Sequence, residues 1–189
     1  MMFRTHTPKR WKERLKKTGS SDDGWTIHHQ DPETDEQWVE YFPYHEDRAP
    51  SYFRKEEIPG DPEELIRCCL TSSVKDDWQG VGAHASGAFD TELVADILEK
   101  LHDEVPRKAL KEFGRFFQRY DNRDIVGMNY QQVTESYERF LSACDRIAKA
   151  TKTQKAVLDN RPPPWNRSLR AARNLNQNRR SAPSSGWQA

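Results

Sequence analysis

Residues 25–42, WTIHHQDPETDEQWVEYF, decide the fold class because they contain two β-rich segments on either side of a turn. Trp, Ile, Val, Tyr and Phe favour a pleated, half-buried surface. Between the two segments, DPETD at 31–35 has turn chemistry, since Pro32 presets φ and Asp31 can cap its own backbone. The pattern predicts a β-hairpin, and SYFRKEEI at 51–58 is expected to add a third strand that stabilises it.

From Asp61 onward the apolar residues recur with a period of about 3.6 instead of two. In DPEELIRCCL, Asp61 stands at the N-cap, Pro62 at the first helical position and a glutamate at the third. Three further helices are predicted to begin near Asp90, at Pro106 and at Asn129. We therefore predict an α+β fold, in which a small antiparallel sheet packs against about four helices.

Composition limits how much of the chain can pack into a core. Only 34% of the 189 residues are hydrophobic, 32% are charged, and the mean hydropathy is −1.04. A single globular domain is predicted at residues 25–157. Residues 1–24 are interpreted as a basic flexible arm, although KRWKERLKK at 9–17 has the potential to form two turns of surface helix. Residues 158–189 are interpreted as a basic, disordered tail rich in Pro, Arg and Asn.

The formal net charge of zero conceals a sorting of charge along the chain. Residues 1–20 contain seven Lys and Arg against one acid, whereas residues 21–106 contain six against 22 acids. The remaining two blocks, 107–157 and 158–189, each have a surplus of five positive charges. An acidic middle with basic ends indicates one of three arrangements: binding of a basic partner, binding of nucleic acid through the ends, or pairing of the charges within the chain.

Cysteine usage and the absence of long apolar runs bear on the compartment. The chain has three cysteines, and Cys68 and Cys69 are adjacent within a predicted helix, where they cannot form a relaxed disulfide. A reducing compartment fits this count. The basic N-terminus is followed by no apolar signal-peptide region, and no run approaches the length of a membrane span. We expect a cytoplasmic protein without a membrane anchor.

The residues that suggest chemistry do not combine into a known site. His28 and His29 are expected to point to opposite faces of one strand, so they cannot ligate one metal ion together. The glycine-rich segment GVGAHASGAFD at 80–90 lacks the Walker A, dinucleotide and nucleophile-elbow patterns. It is interpreted as a structural loop in which His84 and Ser86 precede a helix N-terminus that favours anions. We expect no catalytic residue, metal or cofactor.

The cysteines are the remaining candidates for a nucleophile. Cys68 and Cys69 lie past the middle of their predicted helix, and only Arg67 is a basic neighbour. Thiolate activation is typical of a helix start or of a cysteine beside a histidine. Both cysteines are therefore interpreted as small hydrophobic residues, and a small enzyme is the third-ranked hypothesis for the function.

The hairpin resembles a motif of a known family. Trp25, then Asp31-Pro32, Thr34 and Trp38, within residues 24–43, is similar to the Trp…Asp-Pro-x-Thr-Gly-x-x-Trp hairpin of small bacterial immunity proteins from polymorphic toxin systems. Asp35 stands where that family has the turn glycine. The resemblance implies a protein that binds and blocks a cognate toxin without catalysis. An acidic face would help such a protein to recognise a basic toxin.

Two sets of residues are candidates for binding. A basic protein partner is expected to contact the hairpin and its turn, at Asp31, Glu33, Asp35, Glu36, Trp38 and Glu40. The alternative is a regulatory protein that binds nucleic acid through basic residues and aromatic stacking. Its candidates are Lys9, Arg10, Trp11, Arg161, Trp165, Arg170, Arg173, Arg179 and Arg180.

Overall fold

The computed structural model describes residues 1–22, 24–42, 51–118, 121 and 125–152, all within the compact unit Met1–Gln154. The described residues form six helices and five strands, which confirms the predicted α+β class. In chain order they are β1 (Phe3–Arg4), α1 (Lys9–Arg14), β2 (Lys16–Ser20), β3 (Thr26–Gln30), β4 (Gln37–Tyr41), β5 (Tyr52–Lys55), α2 (Pro62–Thr71), α3 (Lys75–Ala88), α4 (Thr91–Leu101), α5 (Arg107–Phe116) and α6 (Tyr130–Thr151). The predicted tail at 158–189 lies outside the described residues.

The predicted hairpin and third strand are confirmed as β3, β4 and β5. All the strands pair antiparallel in the order β1-β5-β4-β3-β2, and His29 lies opposite Trp38 in the hairpin register. The turn is closed by two backbone bonds: Asp31 N–H donates to the Glu36 carbonyl at 2.9 Å and Asp35 N–H to the Asp31 carbonyl at 2.8 Å. Asp35 has a φ of 60°, at the position where the immunity-protein motif has glycine.

The first 20 residues are part of the sheet, so the prediction of a flexible arm over 1–24 is wrong for this segment. β1 pairs with β5 and β2 pairs with β3, which places the segment on both edges of the hairpin sheet. The carboxylate of Asp77 in α3 accepts hydrogen bonds from the backbone N–H groups of Met2 at 2.5 Å and Phe3 at 2.9 Å. Unpaired sheet edges and the buried Phe3 side chain explain why the segment is ordered.

The helix starts follow the predicted capping residues. Asp61 Oδ2 accepts from the Glu64 N–H at 2.8 Å, and Asp90 Oδ1 accepts from the N–H groups of the next turn. Asn129 and Gln132 form a reciprocal capping box, with hydrogen bonds of 3.0 and 2.9 Å. These caps satisfy backbone donors that a helix N-terminus leaves free, so local chemistry fixes where the helices begin.

The glycine-rich segment 80–90 is mostly helix rather than the predicted loop. It forms the second half of α3, which packs on β1 and α5. A β-carbon at Gly80 would lie 2.5 Å from Phe3 Cγ, and one at Gly82 would lie 2.5 Å from the Phe113 carbonyl oxygen. The glycines are therefore required for close packing of α3 against its neighbours, and not for a phosphate loop.

The sheet carries helices on both faces. On one face, Trp11 of α1 packs with Trp38 and Phe53 as a small aromatic cluster. On the other face, Phe3 joins the main core, which is formed mostly by side chains of α2, α3, α4, α5 and α6. In the described part of the chain, no helix has the length and apolarity needed to cross a bilayer.

The tight contact at Gly80 predicts an inverted response to a helix-favouring substitution. Gly→Ala inside a helix normally stabilises by about 1 kcal/mol, but Gly80→Ala should destabilise by about 1–3 kcal/mol because the methyl group overlaps Phe3. Urea unfolding followed by circular dichroism measures the difference. Gly60→Ala is the matched control, since nothing lies within 4 Å of its new carbon. A Gly80→Ala protein as stable as the control would contradict the close packing.

Candidate functional site

Three of the hairpin residues that were expected to contact a partner are inside the protein. Trp38 is 0% exposed, Asp31 2% and Glu40 4%. Trp38 contacts Trp11 edge-on, with ring centroids 5.3 Å apart, and the two carboxylates bind basic residues of α1. This burial corrects the prediction that these three side chains are exposed for binding.

Asp31 links the turn to the N-terminal segment. Its Oδ2 accepts hydrogen bonds from Arg14 Nη2 at 2.7 Å and from Trp11 Nε1 at 3.1 Å, and its Oδ1 accepts from the Glu33 N–H at 3.1 Å. Burial raises the pKa of Asp31, but these donors outweigh burial and hold the pKa below its ordinary value. The aspartate of the turn is therefore an ionised anchor for α1.

Glu40 is the second anchor. Its Oε1 accepts from Lys12 Nζ and from Ser51 Oγ, both at 2.5 Å, while its Oε2 lies 3.1 Å from His29 Nε2. Burial raises the pKa of Glu40, and the bonds from Lys12, Ser51 and His29 lower it by more, so the net shift is downward. His29 packs on Phe53 with ring centroids 5.6 Å apart. The histidine completes a buried polar cluster of the fold.

The two adjacent histidines have separate surroundings, as strand geometry predicts. His29 is buried with Glu40, whereas His28 is 38% exposed and its Nδ1 lies 3.1 Å from Glu56 Oε1. The other three acids of the hairpin also have internal partners. Glu33 pairs with Arg14, Glu36 Oε1 lies 2.7 Å from Lys55 Nζ, and Asp35 Oδ1 accepts from Gln30 Nε2 at 2.5 Å. The charges of the hairpin are thus largely paired within the chain.

The N-terminal candidates for nucleic-acid binding are divided by the fold. Trp11 is 7% exposed and the Arg4 guanidinium lies 4.4 Å from its ring centroid, so its faces are closed to a base. Lys9 lies 3.6 Å from Glu13, and Arg10 is exposed. The other candidates, Arg161, Trp165, Arg170, Arg173, Arg179 and Arg180, lie outside the described residues.

His84 and Ser86 have structural contacts within α3, which corrects their placement in an anion-favouring loop. Ser86 Oγ donates to the Gly82 carbonyl at 2.9 Å and accepts from the Gln118 N–H at 2.8 Å. The His84 ring packs among Phe3, Tyr41 and Phe89, with centroids 5.6–5.8 Å apart. Burial, and secondarily the nearby Arg54, lowers the pKa of His84 to about 4, so the ring is neutral at pH 7.

The exposed surface that the sequence did not indicate lies at the start of α6. The prediction placed Val133, Tyr137, Phe140, Leu141, Cys144 and Ile147 on one core stripe. Phe140, Cys144 and Ile147 are buried, but Tyr137 is 44% exposed. Just before it, Tyr130 is 88% exposed and Val126 is 90% exposed. We define the α6 surface as Ile125, Val126, Met128, Tyr130 and Tyr137 together with Glu135 and Glu138.

The α6 surface is exposed because α6 extends beyond its neighbour. Arg146 Nη2 lies 2.5 Å from Asp96 and 2.6 Å from Glu99, and Arg139 Nε lies 3.8 Å from Glu92. Since Arg139–Glu92 and Arg146–Glu99 share a sequence separation of 47, α4 and α6 run in the same direction. This register places the first residue of α4 level with residue 138, so residues 130–137 project about two turns, or ~12 Å, past it.

The α6 surface also differs in charge from the rest of the helix. Residues 130–138 contain two glutamates and no lysine or arginine. Glu135 accepts from Gln131 at 2.8 Å, and within the described residues neither Glu135 nor Glu138 has a basic partner. The later turns of α6 use Arg139 and Arg146 to bind acids of α4. An apolar and acidic surface is the result.

The anchors Asp31 and Glu40 predict loss of stability in acid. Their folded pKa values are lowered, so their contribution is present above the ordinary carboxyl pKa of about 4 and is lost as pH falls below it. Urea midpoints measured from pH 7 to pH 2.5 should fall steeply below pH 4. Asp31→Asn should lower stability at pH 7 and flatten this dependence. Asp35→Asn, at an exposed position, is the control and should keep the wild-type slope; equal slopes in all three proteins would contradict the role of Asp31.

Cysteine reactivity provides a second check on the site. Cys68 is exposed, Cys69 and Cys144 are buried, and burial raises the pKa of the Cys69 thiol. In the native protein we expect one thiol per chain to react rapidly with a disulfide reagent, and all three to react after unfolding in denaturant. Cys68→Ser should abolish the fast phase. Two fast thiols, or a fast phase that survives Cys68→Ser, would contradict the burial of the other two.

Comparison with known proteins adds no family to this description. No group of three or more His, Cys, Asp or Glu side chains that could hold a metal ion occurs among the described residues. A function is therefore inferred below from the contacts, burial and charge of those residues. No protein-family model, curated protein or solved structure matches the chain.

Proposed function

We propose that this protein is a non-catalytic protein-interaction domain that binds a basic protein partner through the α6 surface. The exposure of large apolar side chains on one short segment supports the proposal. Val126 and Tyr130 are each nearly fully exposed, and Ile125, Met128 and Tyr137 are at least 40% exposed. A group of exposed apolar side chains on a folded domain is typical of an interaction site.

The composition of the α6 surface agrees with a protein ligand. Tyrosine and methionine are enriched at protein interfaces, and tyrosine often contributes strongly to binding energy. Glu135 and Glu138 add negative charge beside the apolar residues. Such a rim attracts partners of opposite charge and increases the rate of association at low salt. The partner expected from these features presents apolar side chains flanked by Lys or Arg.

The basic partner inferred from the charge distribution is kept, but its contact surface is different. The hairpin acids first considered are buried or paired, at Asp31, Glu33, Glu36 and Glu40. The resemblance to immunity proteins implies a toxin as the partner, and that identity is a proposal carried by the resemblance alone. Of the residues that carry the resemblance, Trp38 and Asp31 hold the aromatic cluster and α1 in place.

Site-specific photocrosslinking in cells of the source organism tests the proposal. A benzophenone amino acid at Tyr130 should yield a crosslinked protein that is absent when the same group replaces the exposed Lys17 in β2. The captured protein should be basic at the contact, and its affinity should fall at least tenfold with Tyr130→Ala and Tyr137→Ala combined. Those substitutions remove exposed rings, so the thermal midpoint should change little.

Two outcomes would overturn the proposal. One is the absence of any product specific to position 130. The other is a captured protein whose affinity for the purified chain is unchanged by the two alanine substitutions. Raising the salt concentration from 50 to 500 mM should weaken a genuine complex, because the acidic rim is exposed to solvent and is screened.

A further inference from the structure

We infer that the segment of the partner that docks on the α6 surface is an amphipathic helix with a basic face. This inference rests on the proposed function and specifies its ligand. It is drawn from three features of α6: the spacing of its apolar residues, the distribution of its charge, and the way in which its second half already packs against α4.

The apolar residues of α6 form a continuous stripe with coiled-coil spacing. They are separated by alternating steps of three and four positions and comprise Tyr130, Val133, Tyr137, Phe140, Cys144 and Ile147. This 3-4 alternation is the pattern by which one helix packs against another. In the second half of the stripe, Phe140, Cys144 and Ile147 are buried. The first half has the same spacing but keeps its tyrosines exposed, so the pattern for receiving a helix continues beyond the fold's own helices.

The charge distribution specifies the sign of the incoming helix. In its second half, α6 presents Arg139 and Arg146, and α4 supplies the complementary Glu92, Asp96 and Glu99. In its first half, α6 presents Glu135 and Glu138 without a basic partner among the described residues. By the same complementarity, a helix that docks on the first half should carry Lys or Arg beside its apolar residues.

The dimensions of the site also suit a helix. Residues 130–137 span two turns, or ~12 Å, beyond the level at which α4 begins. A docked helix presents anchors at positions i, i+3 or i+4, and i+7, which matches the separation of Tyr130, Val133 and Tyr137. Ile125, Val126 and Met128 lie just before the helix and would lengthen the contact. A strand presents side chains with a period of two and would not follow this stripe.

A second copy of the chain is a poorer occupant than a basic helix. In a two-fold dimer through this stripe, Glu135 and Glu138 would approach the same two glutamates of the other copy. No lysine or arginine occurs between residues 130 and 138 to offset that repulsion. The basic helix both covers the tyrosines and neutralises the glutamates, so the structure favours it.

Two designed peptides test the inference with the full chain. The first has 14 residues, with leucine at the heptad core positions and lysine elsewhere; the second has the same composition in an order that removes the heptad. We expect the heptad peptide to bind at least tenfold more tightly and to gain helical circular dichroism on binding. In NMR titrations of the ¹⁵N-labelled chain, its largest amide shift changes should fall within residues 125–138.

A matched pair of charge reversals separates specific docking from attraction to any acidic surface. Glu135→Lys with Glu138→Lys should weaken the heptad peptide at least tenfold, whereas Glu56→Lys with Glu57→Lys, at exposed or partly exposed positions near the sheet, should leave its affinity within twofold. Equal affinity for the two peptides would overturn the helix inference, and so would shift changes centred outside residues 125–138. If a partner still crosslinks at Tyr130 in that case, the proposed function survives; if no partner does, both fail.

Discussion

The contact on which the rest of the structure depends is the packing of the N-terminal segment on the hairpin. Trp11 lies edge-on to Trp38 and Phe53, and the two basic residues that follow it in α1 bind the buried carboxylates of Asp31 and Glu40. A buried carboxylate without a partner is strongly destabilising, so the hairpin requires α1 as much as α1 requires the hairpin. The charge asymmetry of the sequence is thereby explained in part by pairing within the chain, which was one of its three possible meanings.

This pairing determines where a partner can bind. Once Lys12 and Arg14 neutralise the hairpin, its conspicuous acids serve the fold, and the residues that resemble an immunity-protein motif have structural work of their own. The apolar and acidic start of α6 is instead without such a cover. The difference between the two regions is one of geometry: α1 and β2 lie directly on the hairpin, whereas α4 begins about two turns after α6 does.

The sequence predicted those parts of the fold that local chemistry controls. Alternating residues around the Asp31-Pro32 turn predicted the hairpin, and the caps at Asp61, Asp90 and Asn129 marked helix starts correctly. Residues 1–20 were missed because single buried residues, Phe3 and Trp11, stand among basic ones and make no periodic pattern. The helix at 80–88 was missed because glycine has a low helix propensity, and its value there comes from contacts with distant residues. The exposure of Tyr130 depends on the relative lengths of two helices, which periodicity does not encode.

Hydrogen–deuterium exchange, resolved to individual amides, tests the central contact most directly. If the N-terminal segment is an integral part of the sheet, the amides of β2 that pair with β3 should be protected to a similar degree as those that join β3 to β4. Arg14→Ala should reduce protection in α1 and β2 before it affects α4 and α6. Rapid exchange throughout residues 1–20, beside a protected hairpin, would contradict the account, because the segment would then be a mobile basic arm and the acids of the hairpin would be open to a partner.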